Sequence, residues 1–209
     1  MLGLDYMANV ERVVDGVRSQ APVFTQAARI VVDSALNKGR FFVHDPAGMI
    51  SYEASGRSAG LYMVKTLGVA DLQRYDLSPS DVVLYFSRRS FVEGEWAFLD
   101  HIRNKGAKVI GVFPVSMPTE GRALGDSCEA IIDNGVPGNQ GTVDVPGFSE
   151  KLGPIDIVVN CVILWSLTAE IIGEFLRRGL TPSVYMTIRA QDSEEYNSRI
   201  WAQYQRQGF

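Results

Sequence analysis

The chain has 209 residues, 46% of them hydrophobic and 21% charged, with a formal net charge of −4. A chain of this length buries about 70% of its unfolded surface and folds as one domain without metal or disulfide staples. The balance excludes a disordered chain, and the absence of a basic surplus argues against nucleic acid or an anionic membrane as partner.

Apolar residues at Val10, Val13, Val14 and Val17, then Phe24, Ala27, Ala28, Val31, Val32 and Leu36, recur at helical spacing. They predict one long or two abutting helices over Asn9 to Asn37, with Pro22 at the join and Gly39 as a left-handed stop. Arg40 to His44 reads as a short buried strand, broken by Asp45-Pro46-Ala47-Gly48, after which Ser51 or a neighbour caps a helix to about Thr66. A second strand is expected at Asp81–Phe86, with Ser87-Arg88-Arg89-Ser90 as its exit loop and a helix from Phe91 to Asn104. Lys108–Phe113 and Ala130–Asp133 are a third and fourth strand. Asn134 to Gly153, rich in Gly and Pro, reads equally as a lid or as a plain connector. Ile155 to Arg178 is a buried core helix: Asp156, Asn160 and Glu170 interrupt its apolar run too often for a membrane span. Pro182–Thr187 is a fifth strand and Ser193–Gln205 a terminal helix.

Short apolar strands alternating with helices predict a single doubly wound α/β domain, a five-stranded parallel sheet with helices on both faces. Such folds bind ligands outside the carboxyl ends of their strands. Ser87-Arg88-Arg89-Ser90 is an anion-site candidate there: a helix start aims N–H groups at the loop, two hydroxyls add donors, and arginine grips oxyanions with a planar fork. The alternative is a solvated basic turn. Cys128 and Cys161 read as buried thiols of a reduced cytoplasmic protein, and two histidines supply no metal site. Neither a P-loop nor a G-x-G-x-x-G motif is present, so no cofactor is expected. Gly56-Arg57-Ser58-Ala59-Gly60 matches the nucleophile-elbow pattern, a remote serine-hydrolase alternative that requires a strand before the serine and a helix after it.

The order of elements resembles the SIS (sugar isomerase) domain family, especially its small stand-alone phosphosugar-binding proteins. The segments that carry the resemblance are Asp81-Val-Val-Leu-Tyr-Phe-Ser87, Lys105-Gly-Ala-Lys-Val-Ile-Gly-Val112, Ala130-Ile-Ile-Asp-Asn-Gly-Val-Pro137, Lys151-Leu-Gly-Pro154 and Asp192-Ser-Glu-Glu-Tyr-Asn197. The resemblance implies binding of a small sugar phosphate or sugar acid, aldose–ketose isomerase activity, and a homo-oligomer, dimer or tetramer, whose sites borrow residues from a neighbour. Ligand contacts are expected at Gly48, Ser51, Ser87, Arg88, Arg89 and Ser90, and the resemblance places a carboxylate at Glu53. His44 and Asp45 flank the same strand end as an acid/base pair. The chain also departs from the family: Arg89 replaces a serine, Ser90 a glycine, and Asp45 and Pro46 stand in a loop usually rich in Gly, His and Ser. Tyr196 stands where histidine is frequent. These changes leave open a non-catalytic sugar-phosphate-binding or assembly module. Glu53 also reads as a carboxylate complementing a helix dipole, and His44 as a strand-end histidine satisfied by backbone.

Overall fold

The computed structural model describes residues 1–72, 74–87, 93–116, 127–136 and 141–209. Two helices open the chain, α1 (Leu2–Arg18) and α2 (Ala21–Leu36). The break falls at Ser19–Gln20, and Pro22 sits in the first turn of α2, where its missing N–H costs nothing. The expected stop after α2 is present, with a different division of labour. Lys38 takes the left-handed conformation (φ 60°), whereas Gly39 is required because a Cβ there would run into the Ser80 carbonyl.

Among the described residues the sheet has five parallel strands, β1 (Phe41–His44), β2 (Val64–Thr66), β3 (Val82–Phe86), β4 (Lys108–Phe113) and β5 (Ala130–Asp133), in the order β2-β1-β3-β4-β5. Phe41 pairs with Val64 on one side and Val82 on the other, and Val82 with Lys108. Strand alternation sends Phe41, Val43, Val82, Leu84 and Phe86 into a core shared with α1, α2, α3 (Met49–Gly56) and α5 (Asp156–Arg177). Phe42, Val83 and Tyr85 pack on the opposite face beneath α4 (Glu93–Asn104), against Trp96, Phe98, Leu99 and Ile102. Both faces are covered, which is why the strands read as apolar runs.

Two expectations are corrected. Pro182–Thr187 is not the fifth strand: among the described residues its only pairing is an isolated antiparallel bridge, Val184 to Leu61, and Ser183 donates its hydroxyl to the Phe209 carbonyl. The fifth strand is β2, inside the stretch read as the end of a helix. That helix stops at Gly56, because Ala59 (φ 67°) turns the chain and its N–H bonds to the Tyr185 carbonyl. In α5, Asp156 is buried and so is Glu174. Glu174 accepts from Arg177 Nε (3.0 Å) and Arg178 Nε (2.8 Å), while Arg178 also reaches Asp33. By length and composition α5 could cross a membrane, but here it packs on α2, α3 and α1.

The described part of the 134–153 connection is tied down. Thr142 and Val143 pair with Leu152, Asn9 of α1 donates to the Thr142 carbonyl, and Tyr6 donates to Pro154. The terminal helix α6 (Ser193–Gln207) lies beside residues 181–186, its Asn197 bonded twice to the Met186 backbone.

Candidate functional site

In this strand order β1 connects outward to β2 through α3, whereas β3 connects the other way through α4. The crevice outside the carboxyl ends of β1 and β3 is therefore the topological switch point, where doubly wound sheets bind ligands. Asp45 and Ser87, the first residues of two loops singled out in the sequence, stand at the ends of these two strands.

The candidate residues divide between the two sheet faces. His44 is 4% exposed and lies on the α4 face, stacked on Phe98 with ring centroids 4.1 Å apart. Its Nδ1 is 2.7 Å from the Leu67 carbonyl. Burial lowers its pKa, outweighing that hydrogen bond and the charge of Asp45, so the imidazole is held toward neutrality. Ser87 is on the same face, fully buried, and donates its Oγ to Glu95 Oε1 at 3.0 Å. Arg88, Arg89 and Ser90 lie outside the described residues.

Asp45 turns the other way. Its carboxylate accepts from Ala47 N (3.2 Å) and Ile50 N (2.8 Å), which caps α3 from outside the helix. Gly48 supplies the left-handed residue (φ 74°) that the tight turn needs, and an added Cβ would meet nothing within 4 Å. Ser51 is buried and spends its hydroxyl on the Val43 carbonyl at 3.3 Å. Glu53, one turn further, accepts from Trp165 Nε1 of α5 at 3.0 Å and pairs with Arg57 Nε at 3.1 Å. Its carboxylate thus has a fixed position at the wall of a cavity of about 600 Å³, lined by Glu53, Arg57, Ser58, Trp165, Thr187 and Arg189. The Cys161 thiol lies within the fields of Glu53, Arg57 and Asp45, and burial raises its pKa. Glu53 and Asp45 thus share one side of the sheet edge, and His44 and Ser87 the other.

Several residues near the site were not legible as such. Arg57 stands at i+4 from Glu53, a spacing visible in the sequence. Trp165 is 112 residues away, and only helix packing brings it to Glu53. At the end of β5, buried Asn134 donates to Asn160 Oδ1 at 3.1 Å, fixing the start of the 134–153 connection against α5. The nucleophile-elbow reading fails on geometry. Ser58 follows a helix instead of standing between a strand and a helix, and His101 lies on α4, across the sheet.

No protein-family model matches the chain. It is similar in sequence to a UPF0309 protein of Halalkalibacterium halodurans, 23% identical over 96% of each chain, and to a UPF0309 protein of Brucella anthropi, 24% identical over 90% of each. Among solved structures it is similar to a phosphoheptose isomerase from Neisseria gonorrhoeae (TM-score 0.51, 11% identity, 79% of this chain and 92% of that one). It is also similar to the sugar isomerase domain of the RpiR transcription factor from Sphaerobacter thermophilus (TM-score 0.51, 13% identity, 98% of each chain). A third is a phosphoheptose isomerase from Francisella tularensis (TM-score 0.52, 15% identity, 82% of this chain and 98% of that one). With five parallel strands in this order, helices on both faces and these neighbours over most of its length, the chain has the sugar isomerase (SIS) fold.

Proposed function

We propose that the chain binds a small phosphorylated sugar at the carboxyl edge of β1 and β3. The phosphate is held by the loop from Ser87 to Ser90, with Arg88 and Arg89 as its cationic partners, and the sugar extends toward Glu53. The observation that carries this reading is that Asp45 and Ser87 follow the two strands on either side of the switch point, in a fold shared with two phosphoheptose isomerases.

As an enzyme the protein interconverts aldose and ketose. Glu53, held by Trp165 and Arg57, takes a proton from the carbon next to the carbonyl and returns it to the neighbouring carbon. Asp45, on the same side of the sheet edge, serves the hydroxyl protons, whereas His44, expected as its partner, is stacked on Phe98 on the opposite face and takes no part. A second reading, binding without chemistry, is favoured by one feature. Asp45 already occupies backbone N–H groups of the first loop, and Ser87 already bonds Glu95. The free cysteines suit a reducing, cytoplasmic compartment, and we place the protein there as a homodimer.

A thermal-shift screen of aldose and ketose phosphates against their unphosphorylated parents tests the binding reading, since a ligand specific for the folded chain raises its melting temperature. Arg88→Ala/Arg89→Ala should abolish the shift. Glu53→Gln should keep it and reduce solvent deuterium uptake at the substrate carbon by about 100-fold or more. Shifts that are equal with and without phosphate would overturn the binding reading. Binding with no deuterium uptake by the wild type would leave the non-catalytic one.

A further inference from the structure

Aldose–ketose interconversion needs more than a base. Removing the proton beside a carbonyl puts negative charge on the carbonyl oxygen, and a site that stabilises this charge needs a positive group there. Glu53 and Asp45 are both acidic and cannot supply it. The cavity beside Glu53 is also lined by Thr187 and Arg189, from the segment before α6. That segment is built into the fold. Ala59 N donates to the Tyr185 carbonyl (2.9 Å) and Tyr185 N to the Gly60 carbonyl (3.0 Å). Asn197 bonds the Met186 N–H (2.9 Å) and carbonyl (3.0 Å), and Ser193 Oγ donates to the Ile188 carbonyl (3.2 Å). Ala190 N closes the turn on the Thr187 carbonyl (3.0 Å), with Arg189 between them.

The two arginines of the cavity differ in what they already hold. Arg57 is paired with Glu53 at 3.1 Å. Arg189 makes no ion pair among the described residues, and only its backbone N–H is engaged, with Thr187 Oγ at 3.4 Å. A guanidinium keeps its proton at any working pH, so it stabilises an anion without protonating it. Proton abstraction moves one negative charge across the cavity. Glu53 starts ionised and becomes neutral, while the sugar oxygen starts neutral and becomes charged. The cavity holds one guanidinium for each end of that transfer, Arg57 at the carboxylate and Arg189 for the oxygen.

We propose that Arg189 is a catalytic residue, the group that holds the carbonyl oxygen of the open-chain sugar and carries its charge in the enediolate. The proposal rests on the isomerase reading above and adds the cation that reading lacks. In the aldose-to-ketose direction, Glu53 takes the proton on C2, the C2–H electron pair forms the C1=C2 bond, and the C1=O pair moves onto O1 beside Arg189. The hydroxyl proton then passes from O2 to O1. Collapse of the O2 electrons to a C2 carbonyl lets C1 take the proton back from Glu53, so no oxidant or reductant is consumed.

Calorimetric titration with phosphorylated aldonohydroxamates tests it, using the erythrono-, arabinono- and glucono- compounds against alditol phosphates of the same backbone length. The hydroxamate offers a planar pair of neighbouring oxygens, as the enediolate does, where the alditol has tetrahedral carbinol groups. The wild type should bind the best hydroxamate about 100-fold more tightly than its alditol. Arg189→Gln should bring that ratio close to one while leaving alditol affinity and melting temperature unchanged, because the side chain is exposed. The same variant should slow solvent deuterium uptake at the substrate carbon by about 100-fold with little change in KM. Equal binding of hydroxamate and alditol by the wild type would overturn this proposal and leave the phosphosugar reading intact. Binding of neither series would overturn both. A preference or an uptake rate that Arg189→Gln retains would refute the role of Arg189 and leave the base where it is.

Discussion

At the scale of single residues, His44 and Glu53 show how packing separates groups that lie close in sequence. Both are polar and both belong to the first strand–helix unit. His44 faces α4 with its ring stacked on Phe98, whereas Glu53 is held on the other side of the sheet by Trp165. Burial lowers the pKa of His44 from its ordinary 6.5, so at mildly acidic pH the unfolded chain binds a proton that the folded one resists. Stability contributed by the neutral ring is therefore complete above pH 6.5 and is lost as pH falls, at no more than about 1.4 kcal/mol per pH unit. Melting temperature should drop between about pH 7.5 and 5.5. It should drop less in His44→Asn, whose amide can still bond the Leu67 carbonyl. Identical pH profiles for the two proteins would show that His44 titrates as it does in the unfolded chain.

At the scale of elements, the amino edge of the sheet depends on one buried carboxylate. Asp81, 1% exposed, accepts from Arg40 N (2.7 Å), Arg40 Nε (3.0 Å) and Ser78 N (2.8 Å), tying the start of β1 to the start of β3. Burial alone would raise its pKa, but the bonds from Arg40 and Ser78 outweigh it and hold the carboxyl below its ordinary value. This stabilisation is present at neutral pH and disappears as pH falls below the usual carboxylate range. Replacing one member of such a pair strands the other, so Asp81→Asn should cost about 3 kcal/mol in denaturant unfolding. A loss below about 1 kcal/mol would mean that Arg40, which is partly exposed, is rescued by water or by Asp76. The 141–153 segment makes a related point. Its glycines suggest mobility, yet its pairing to Leu152 and to α1 fixes it, so Thr142, Val143 and Leu152 amides should exchange slowly without ligand.

At the scale of the molecule, α1 carries more apolar surface than its own core uses. Leu2, Leu4 and Met7 are 44%, 57% and 60% exposed, and Val14, Val17, Phe24, Val162 and Ala169 line a groove between α1, α2 and α5. A closed symmetric dimer is the commonest way to cover such a surface. Light scattering at micromolar concentration should give twice 23.0 kDa, and Leu4→Glu/Met7→Glu should shift the mass toward the monomer. A monomeric mass for the wild type would exclude the pairing.

The sequence by itself determined the class of fold and the order of most elements. Apolar runs as in Val82–Phe86, helical spacing as in α2, and Pro22 at a helix start are local consequences of burial and backbone sterics. It did not reveal β2, because Val64–Thr66 is too short to show a period and exists only through pairing with β1. Conversely, Pro182–Thr187 has strand composition but finds no sheet edge to join, since β2 fills the place beside β1. The residues around Glu53 followed the same division. Asp45 and Ser87 stood out by residue type at strand ends, and Glu53 through the family resemblance. That Trp165 holds Glu53, that Arg189 faces Arg57 across a cleft, and that His44 turns away from both are outcomes of long-range packing. No local pattern encodes them, because each depends on how α3, α5 and residues 185–189 close against one another.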